Sequence, residues 1–292
     1  MTKQYPNIWW RNHDRELSLD TPVLTKPLSS LGRLGRIALK RFMYSQMAIR
    51  TGFMIAIGKE QPLVQFTVEK DPPSIYWVYR IKSSMIEGLR EKLGIPSHFS
   101  LCPIRCLETD EPEYLLTVNA YRVSGLANGI RAEWSIFVRD HNDVPRYMVV
   151  DARSSQYSLD PVSIITKSST VIHEKHNNRI QTQIGEEDIA FKSTIQLPTS
   201  SLPVTPSPEW VSANDYIYWG NGICDRTFYN AGLANSQIDR CSSDNYRIKD
   251  KSFWGQVVEP EPVHVLILNN ALEFVISPWE NVDKAPIRRP KK

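Results

Sequence analysis

Cysteine is scarce in this sequence. The four residues Cys102, Cys106, Cys224 and Cys241 form no C-x-x-C pair and are too few for a disulfide-dense scaffold. The opening, Met-Thr-Lys-Gln-Tyr-Pro-Asn, has no basic segment followed by an apolar run, so no secretory signal is expected. Together these features predict a cytoplasmic protein with free thiols and no disulfide. An excess of one charge is also lacking. Thirty-five cations face 32 anions, a net charge of +3, which argues against nucleic acid as a partner. The basic clusters sit near the ends, at Arg33, Arg36, Lys40 and Arg41 and at Arg288, Arg289, Lys291 and Lys292. There is no unbroken run of the ~18 apolar residues that a membrane-spanning helix needs. The nearest, residues 34–57, is interrupted by Arg36, Lys40, Arg41 and Arg50. It reads as a core-packing helix, with a basic amphipathic segment lying on a membrane surface as the sharper alternative.

Familiar catalytic motifs are missing as well. There is no Gly-x-Ser-x-Gly elbow and no Walker loop, and Gly220-x-Gly222 lacks the third glycine of a dinucleotide loop. His173 and His176 bracket Glu174 and Lys175. On a strand their offset puts the two imidazoles on opposite faces, whereas zinc needs ligands that converge. No metal and no cofactor is therefore expected. Cys224-Asp225-Arg226 sets a thiol beside a cation, which could lower its pKa. No histidine lies near it in sequence, and a buried structural cysteine is the favoured reading.

What the sequence does contain is alternation. Residues 63–68 and 75–78 read as strands flanking Asp71-Pro72-Pro73. A helix follows, with Ser84 as its cap, Glu87 completing a capping box, and Gly94 and Pro96 as its stop. Residues 114–123 and 131–138 read as a hairpin, 147–150 as a strand broken by 151–155, and 170–176 with 179–184 as a second hairpin around Asn177-Asn178. Residues 189–197 add another strand. Residues 198–208 read as a stiff Pro/Ser connection, residues 210–256 show little periodicity, and 263–268 with 272–276 read as a closing hairpin. The expected fold is mostly β (α+β): a β-barrel or double-sheet body with a few helices. The expected division is an N-terminal arm and helix over 1–59, a β-barrel domain over 60–280 and a basic tail over 281–292.

The order of segments over roughly residues 60–280 resembles the acetoacetate decarboxylase-like superfamily. Phe66-Thr67-Val68-Glu69-Lys70-Asp71-Pro72, the helix and Leu93-Gly94-Ile95-Pro96 are similar to that family's opening strand, helix and corner. Residues 114–123, the glycine loop and 129–138 resemble its central hairpin, with Glu133 where the family carries a glutamate. Lys167 stands just before the strand–turn–strand of 170–184, where the family carries its Schiff-base lysine. The family's Glu-x-x-Gly-x-Pro-Lys-Lys loop reads here Pro161-Val162-Ser163-Ile164-Ile165-Thr166-Lys167-Ser168, with a serine in place of the second lysine.

The resemblance implies a lyase acting on a small keto or carbonyl compound, with Lys167 as nucleophile and Glu133 as acid/base. An amine held among apolar side chains such as Ile164 and Ile165 loses its charge readily and can attack a carbonyl. The alternative is the same barrel without covalent chemistry, binding a small apolar ligand among the aromatics of 210–229. A membrane-surface protein anchored through 34–57 is a third reading. A homo-oligomer is compatible with the sequence.

Overall fold

The computed structural model describes residues 66–125, 129–140, 143–156, 165–167, 170–185, 191–213, 215–220, 223–230 and 237–276. The expected arm and helix of 1–59, the membrane-surface segment of 34–57 and the tail of 281–292 lie outside the described residues. No helix among the described residues is long and apolar enough to cross a membrane.

The chain opens with strands β1 (Phe66–Val68) and β2 (Ser74–Arg80), helix α1 (Ser83–Lys92) and the short β3 (Ser100–Leu101). Three long strands follow: β4 (Leu115–Gly125), β5 (Gly129–Arg139) and β6 (Pro145–Ser154). Next come β7 (Ile165–Lys167), β8 (Val171–His176), β9 (Arg179–Ile184), β10 (Phe191–Gln196) and β11 (Pro203–Val204). The last part holds α2 (Pro208–Ser212), β12 (Asp215–Gly220), β13 (Ile223–Asn230), β14 (Ile238–Arg240), β15 (Tyr246–Asp250), α3 (Phe253–Val257), β16 (His264–Leu268) and β17 (Leu272–Ile276). The structure is therefore mostly β with a few short helices, as expected.

The strands form two sheets. The larger has thirteen strands in the order β11-β14-β16-β2-β4-β1-β17-β13-β12-β6-β5-β3, with β7 added beside β6. The smaller is β15-β10-β9-β8. In the larger sheet β4 also pairs with β5. That pairing closes a cycle of seven strands, β4-β1-β17-β13-β12-β6-β5 and back to β4. One face of a closed cycle must look inward. The outward face carries Leu116, Val118, Ala120, Ala132, Trp134, Ile136 and Met148, which share one apolar cluster with Ile180, Ile184, Phe191 and Ile195 of the smaller sheet. Trp77 meets Phe191 edge-on there, with ring centroids 4.8 Å apart. Since the smaller sheet covers the outer face, the opposite face of β4, β5 and β6 lines the inside of the cycle.

Several expectations are corrected. The predicted capping box does not form: α1 begins at Ser83, its N-cap is Lys82, and that residue makes no side-chain cap. The cause is local pinning. Ile81 bridges Val258, and the Lys82 backbone N–H donates to Val257 O at 3.0 Å, so the helix starts where that pairing ends. The predicted break at 151–155 is instead the second half of β6. That strand carries an extra residue, Val150, opposite the Trp134–Ser135 step, and a bulge of this kind lets pairing resume beyond it. Residues 263–268 and 272–276 are strands, but among the described residues they do not pair with each other. β16 joins β2 and β14, whereas β17 joins β1 and β13. The Pro/Ser stretch is not merely a linker. Val204 pairs with Ile238, and the buried Ser207 hydroxyl accepts from Trp210 N at 3.0 Å to cap α2.

Candidate functional site

Strand β5 alternates as Arg131, Glu133, Ser135 and Phe137 on one face and Ala132, Trp134, Ile136 and Val138 on the other. A half-polar strand ordinarily turns its polar face to water. Here every residue from Ile130 to Val138 is buried, because the polar face is the inside of the strand cycle. Glu133, the expected acid/base residue, therefore stands on a buried face. Glu133 and Arg131 are each only 1% exposed, and their charged groups lie 3.6 Å apart as an ion pair. Burying a lone carboxylate or guanidinium costs several kcal/mol, roughly, so a buried charge needs an opposite partner to persist in its charged form.

The registers give the neighbours. Glu133 pairs across the sheet with Asn119 on one side and Ala152 on the other. Asn119 Oδ1 accepts from Ser74 Oγ at 2.9 Å. Arg131 pairs with Tyr121 and with Ser154. One step along β5, Ser135 pairs with Thr117 and Val149, and the Thr117 and Tyr147 hydroxyls share a short hydrogen bond. The buried Ser135 hydroxyl has no hydrogen-bond partner among the described residues. The inner face is thus a polar floor of Arg131, Glu133, Asn119, Ser135 and Ser154, walled by Tyr121, Phe137 and Tyr147, all buried.

Lys167 was expected in a loop just before a strand. Its backbone instead ends the short strand β7, which runs parallel to β6 and pairs Lys167 with Ser154. Lys167, Ser154, Arg131 and Tyr121 therefore occupy one cross-strand row. The neighbouring row holds Ile165, Ala152, Glu133 and Asn119. Ile164, expected to help desolvate the lysine, lies outside the described residues, as do the side chains of 215–230.

The histidine pair behaves as its spacing predicts. His173 is fully buried and His176 is exposed. His173 Nε2 lies 2.9 Å from Pro73 O, and Nδ1 lies 2.9 Å from Thr182 Oγ1. A carbonyl only accepts, so Nε2 carries the proton and Nδ1 accepts from the threonine. Burial drives the His173 pKa down to about 4, against a raising effect of the Pro73 bond. Its role is to tie the smaller sheet to the strand entry at Pro73.

A second polar group was not visible in the sequence. Cys106, Asp110 and His264 bring a sulfur, a carboxylate oxygen and a ring nitrogen within 4.8 Å of one another. Asp110 and His264 are 154 residues apart and joined by a 2.7 Å contact. Desolvation by burial pushes the Cys106 thiol well above its usual value, and burial lowers His264. The expectation of no metal site considered spacing along the chain only, and no local pattern marks this cluster. Cys102, Cys106 and Cys241 are buried free thiols.

No protein-family model matches the chain, and no curated protein matches it. Among solved structures, the chain is similar to acetoacetate decarboxylase from Legionella pneumophila subsp. pneumophila str. Philadelphia 1, at 6% identity and a TM-score of 0.45, over 74% of this chain and 87% of that one. It is also similar to an acetoacetate decarboxylase-like enzyme from Sphingomonas wittichii RW1, at 10% identity and a TM-score of 0.40, over 73% of this chain and 89% of that one. At these identities the similarities transfer no residue role.

Proposed function

We propose that this chain is an acetoacetate decarboxylase-like protein whose inner strand face receives a small keto or carbonyl compound, with Lys167 as the Schiff-base amine and Glu133 as acid/base. The observation that supports the reading is the buried Arg131–Glu133 pair on the inside of the strand cycle, with Arg131 in the cross-strand row that also contains Lys167 and Glu133 in the row beside it. A charged pair inside a closed β body serves stability poorly, because apolar residues of similar volume often do as well or better. It serves ligand chemistry well: Arg131 suits a carboxylate through its planar fork, and Glu133 can move a proton. In the proposed reaction the lysine amine adds to the carbonyl carbon and water leaves, giving an iminium. Loss of carbon dioxide from a 3-oxo acid then sends its electron pair into that iminium, and the enamine is protonated at carbon before hydrolysis frees the lysine. The Ser135 hydroxyl, without a hydrogen-bond partner among the described residues, offers a further contact for a bound oxygen.

The second reading is a non-covalent binder of a small apolar or carbonyl ligand. It is favoured by Ser168, which replaces the neighbouring cation that would help to keep the amine neutral. One experiment separates the two. The protein is incubated with small ketones and 2- and 3-oxo acids, reduced with borohydride and mapped by mass spectrometry. Covalent chemistry predicts an adduct on Lys167 that vanishes in Lys167→Ala. A ligand that binds but leaves no adduct assigns the protein to the binding class.

A further inference from the structure

We propose that Cys106, Asp110 and His264 form a zinc site, separate from the polar interior that contains Glu133. The three donor atoms already lie within 4.8 Å of one another, with Cys106 and His264 buried and Asp110 half-buried. They converge from two directions. Cys106 and Asp110 sit on one turn, closed by Asp110 N donating to Leu107 O at 3.1 Å and by Leu107 N donating to Asp110 Oδ2 at 2.9 Å. Ser207 N donates to Cys106 O at 3.0 Å and holds the start of that turn. His264 comes from the first position of β16, paired with Val78 of β2. The turn orients the carboxylate before any ion arrives, as the outer contacts of a metal ligand do.

The donor set selects the ion. Magnesium and calcium take oxygen ligands, whereas a mixed sulfur, nitrogen and oxygen set suits zinc. Asp110 Oδ2 and His264 Nε2 are 2.7 Å apart. The carboxylate only accepts, so a proton on Nε2 bridges them, and a zinc ion would take that proton's place. With zinc bonds of 2.0–2.3 Å, tetrahedral donors stand roughly 3.3 Å apart, so the pair must open by about 0.6 Å while the sulfur closes in. On binding, the thiol proton leaves to solvent and the imidazole proton moves to Nδ1. The half-buried Asp110 leaves an entry path and a fourth position for water.

Arg240 is the opposing element. Its Nη2 lies 2.5 Å from His264 Nδ1 and 3.4 Å from Nε2. A donor aligned with the Nδ1 lone pair in the ring plane would point away from Nε2, so these two distances put the guanidinium over the ring. Its charge resists a second cation, and its half-buried side chain can swing outward as the ion enters. His264, Val78, Thr117 and Ser135 form one cross-strand row. At about 4.8 Å per strand, the cluster is about 14 Å along the sheet from Ser135.

The test uses the full chain, stripped with chelator and then titrated with Co2+ and Zn2+. The expected result is one Co2+ per chain, with a near-ultraviolet thiolate-to-cobalt band, intense visible absorption of a tetrahedral ion and displacement of both by Zn2+. The thiolate band is lost in Cys106→Ser, Asp110→Asn weakens binding at least tenfold, and Arg240→Gln tightens it about tenfold. Absence of any cobalt band in the unaltered protein overturns the proposal. So does a band that persists in Cys106→Ser. Should Cys106→Ser fail to fold, an Asp110→Asn protein that folds and binds as tightly as the parent overturns it equally. Lys167→Ala leaves the cobalt spectrum unchanged, which keeps this test independent of the Schiff-base reading.

Discussion

His173 gives the most direct access to the energetics that join the two sheets. The ring is completely buried, both nitrogens are hydrogen-bonded, and the group stays neutral until the pH falls to about 4. In the unfolded chain it titrates near 6.5. Between these values the unfolded state binds a proton that the folded state refuses, so stability must fall as the pH drops from 6.5 toward 4. At about 1.4 kcal/mol for each pH unit of separation, the loss reaches about 3 kcal/mol by pH 4. Other groups also titrate in this window, so the informative quantity is the difference between the parent and His173→Gln. Glutamine keeps a donor for Pro73 O but loses the contact with Thr182 Oγ1 and never charges. At pH 7.5 the variant should be less stable by about 1–2 kcal/mol, the cost of one buried hydrogen bond and imperfect packing. By pH 4 the order should invert, because only the parent pays for excluding the proton. Urea unfolding at half-unit steps from pH 7.5 to 4, with both proteins in the same buffers, measures it. A pH-independent difference between the two proteins would refute the reasoning, as would an NMR titration of His173 with a midpoint near 6.5.

Two further outcomes follow from the same structure. Arg131→Met leaves Glu133 buried without its 3.6 Å partner and should cost about 3–5 kcal/mol in urea unfolding; the double variant with Glu133→Leu should recover much of that loss, and no recovery would mean that the two charges are not coupled. Limited proteolysis should yield one protected body spanning the strands from Phe66 to Ile276, since β1 pairs with β17 and β11 with β14; a stable fragment beginning near residue 209 would instead show that the chain divides at the Pro/Ser stretch.

What could be read from the sequence was whatever local alternation and a turn can specify together. The pairing of 171–176 with 179–184 needs only two alternating runs and Asn177, which adopts φ 53° in the turn. The long hairpin of β4 and β5 was visible for the same reason, from Leu116↔Ile136 to Val123↔Gly129. Pairings between distant segments were not visible. Leu272–Ile276 has the composition of a strand, yet nothing in it says that its partners are Phe66–Val68 and Phe228–Asn230 rather than its neighbour in sequence. The strands of 215–230 carry little regular alternation, and β12 meets β6 in parallel, a pairing that no turn signals.

The candidate site was harder to read than the fold for a related reason. Alternation identifies two faces of a strand but cannot say which one meets water. On β5 the polar set of Arg131, Glu133 and Ser135 has the pattern of a solvated face, and that reading holds for an open sheet. Once β4 pairs with β5 and the cycle closes, the same face turns inward and its charges are buried at 1% exposure. The polar residues then carry the opposite meaning, since a buried charge is costly unless it is paired or serves a ligand. The Cys106, Asp110 and His264 cluster follows the same logic at longer range. Two of its members share a turn, but the third arrives only because β16 lies beside β2, so its chemistry depends on strand order and not on local pattern. In a fold built from non-local pairings, side-chain chemistry gathers where strand order and closure bring distant positions together.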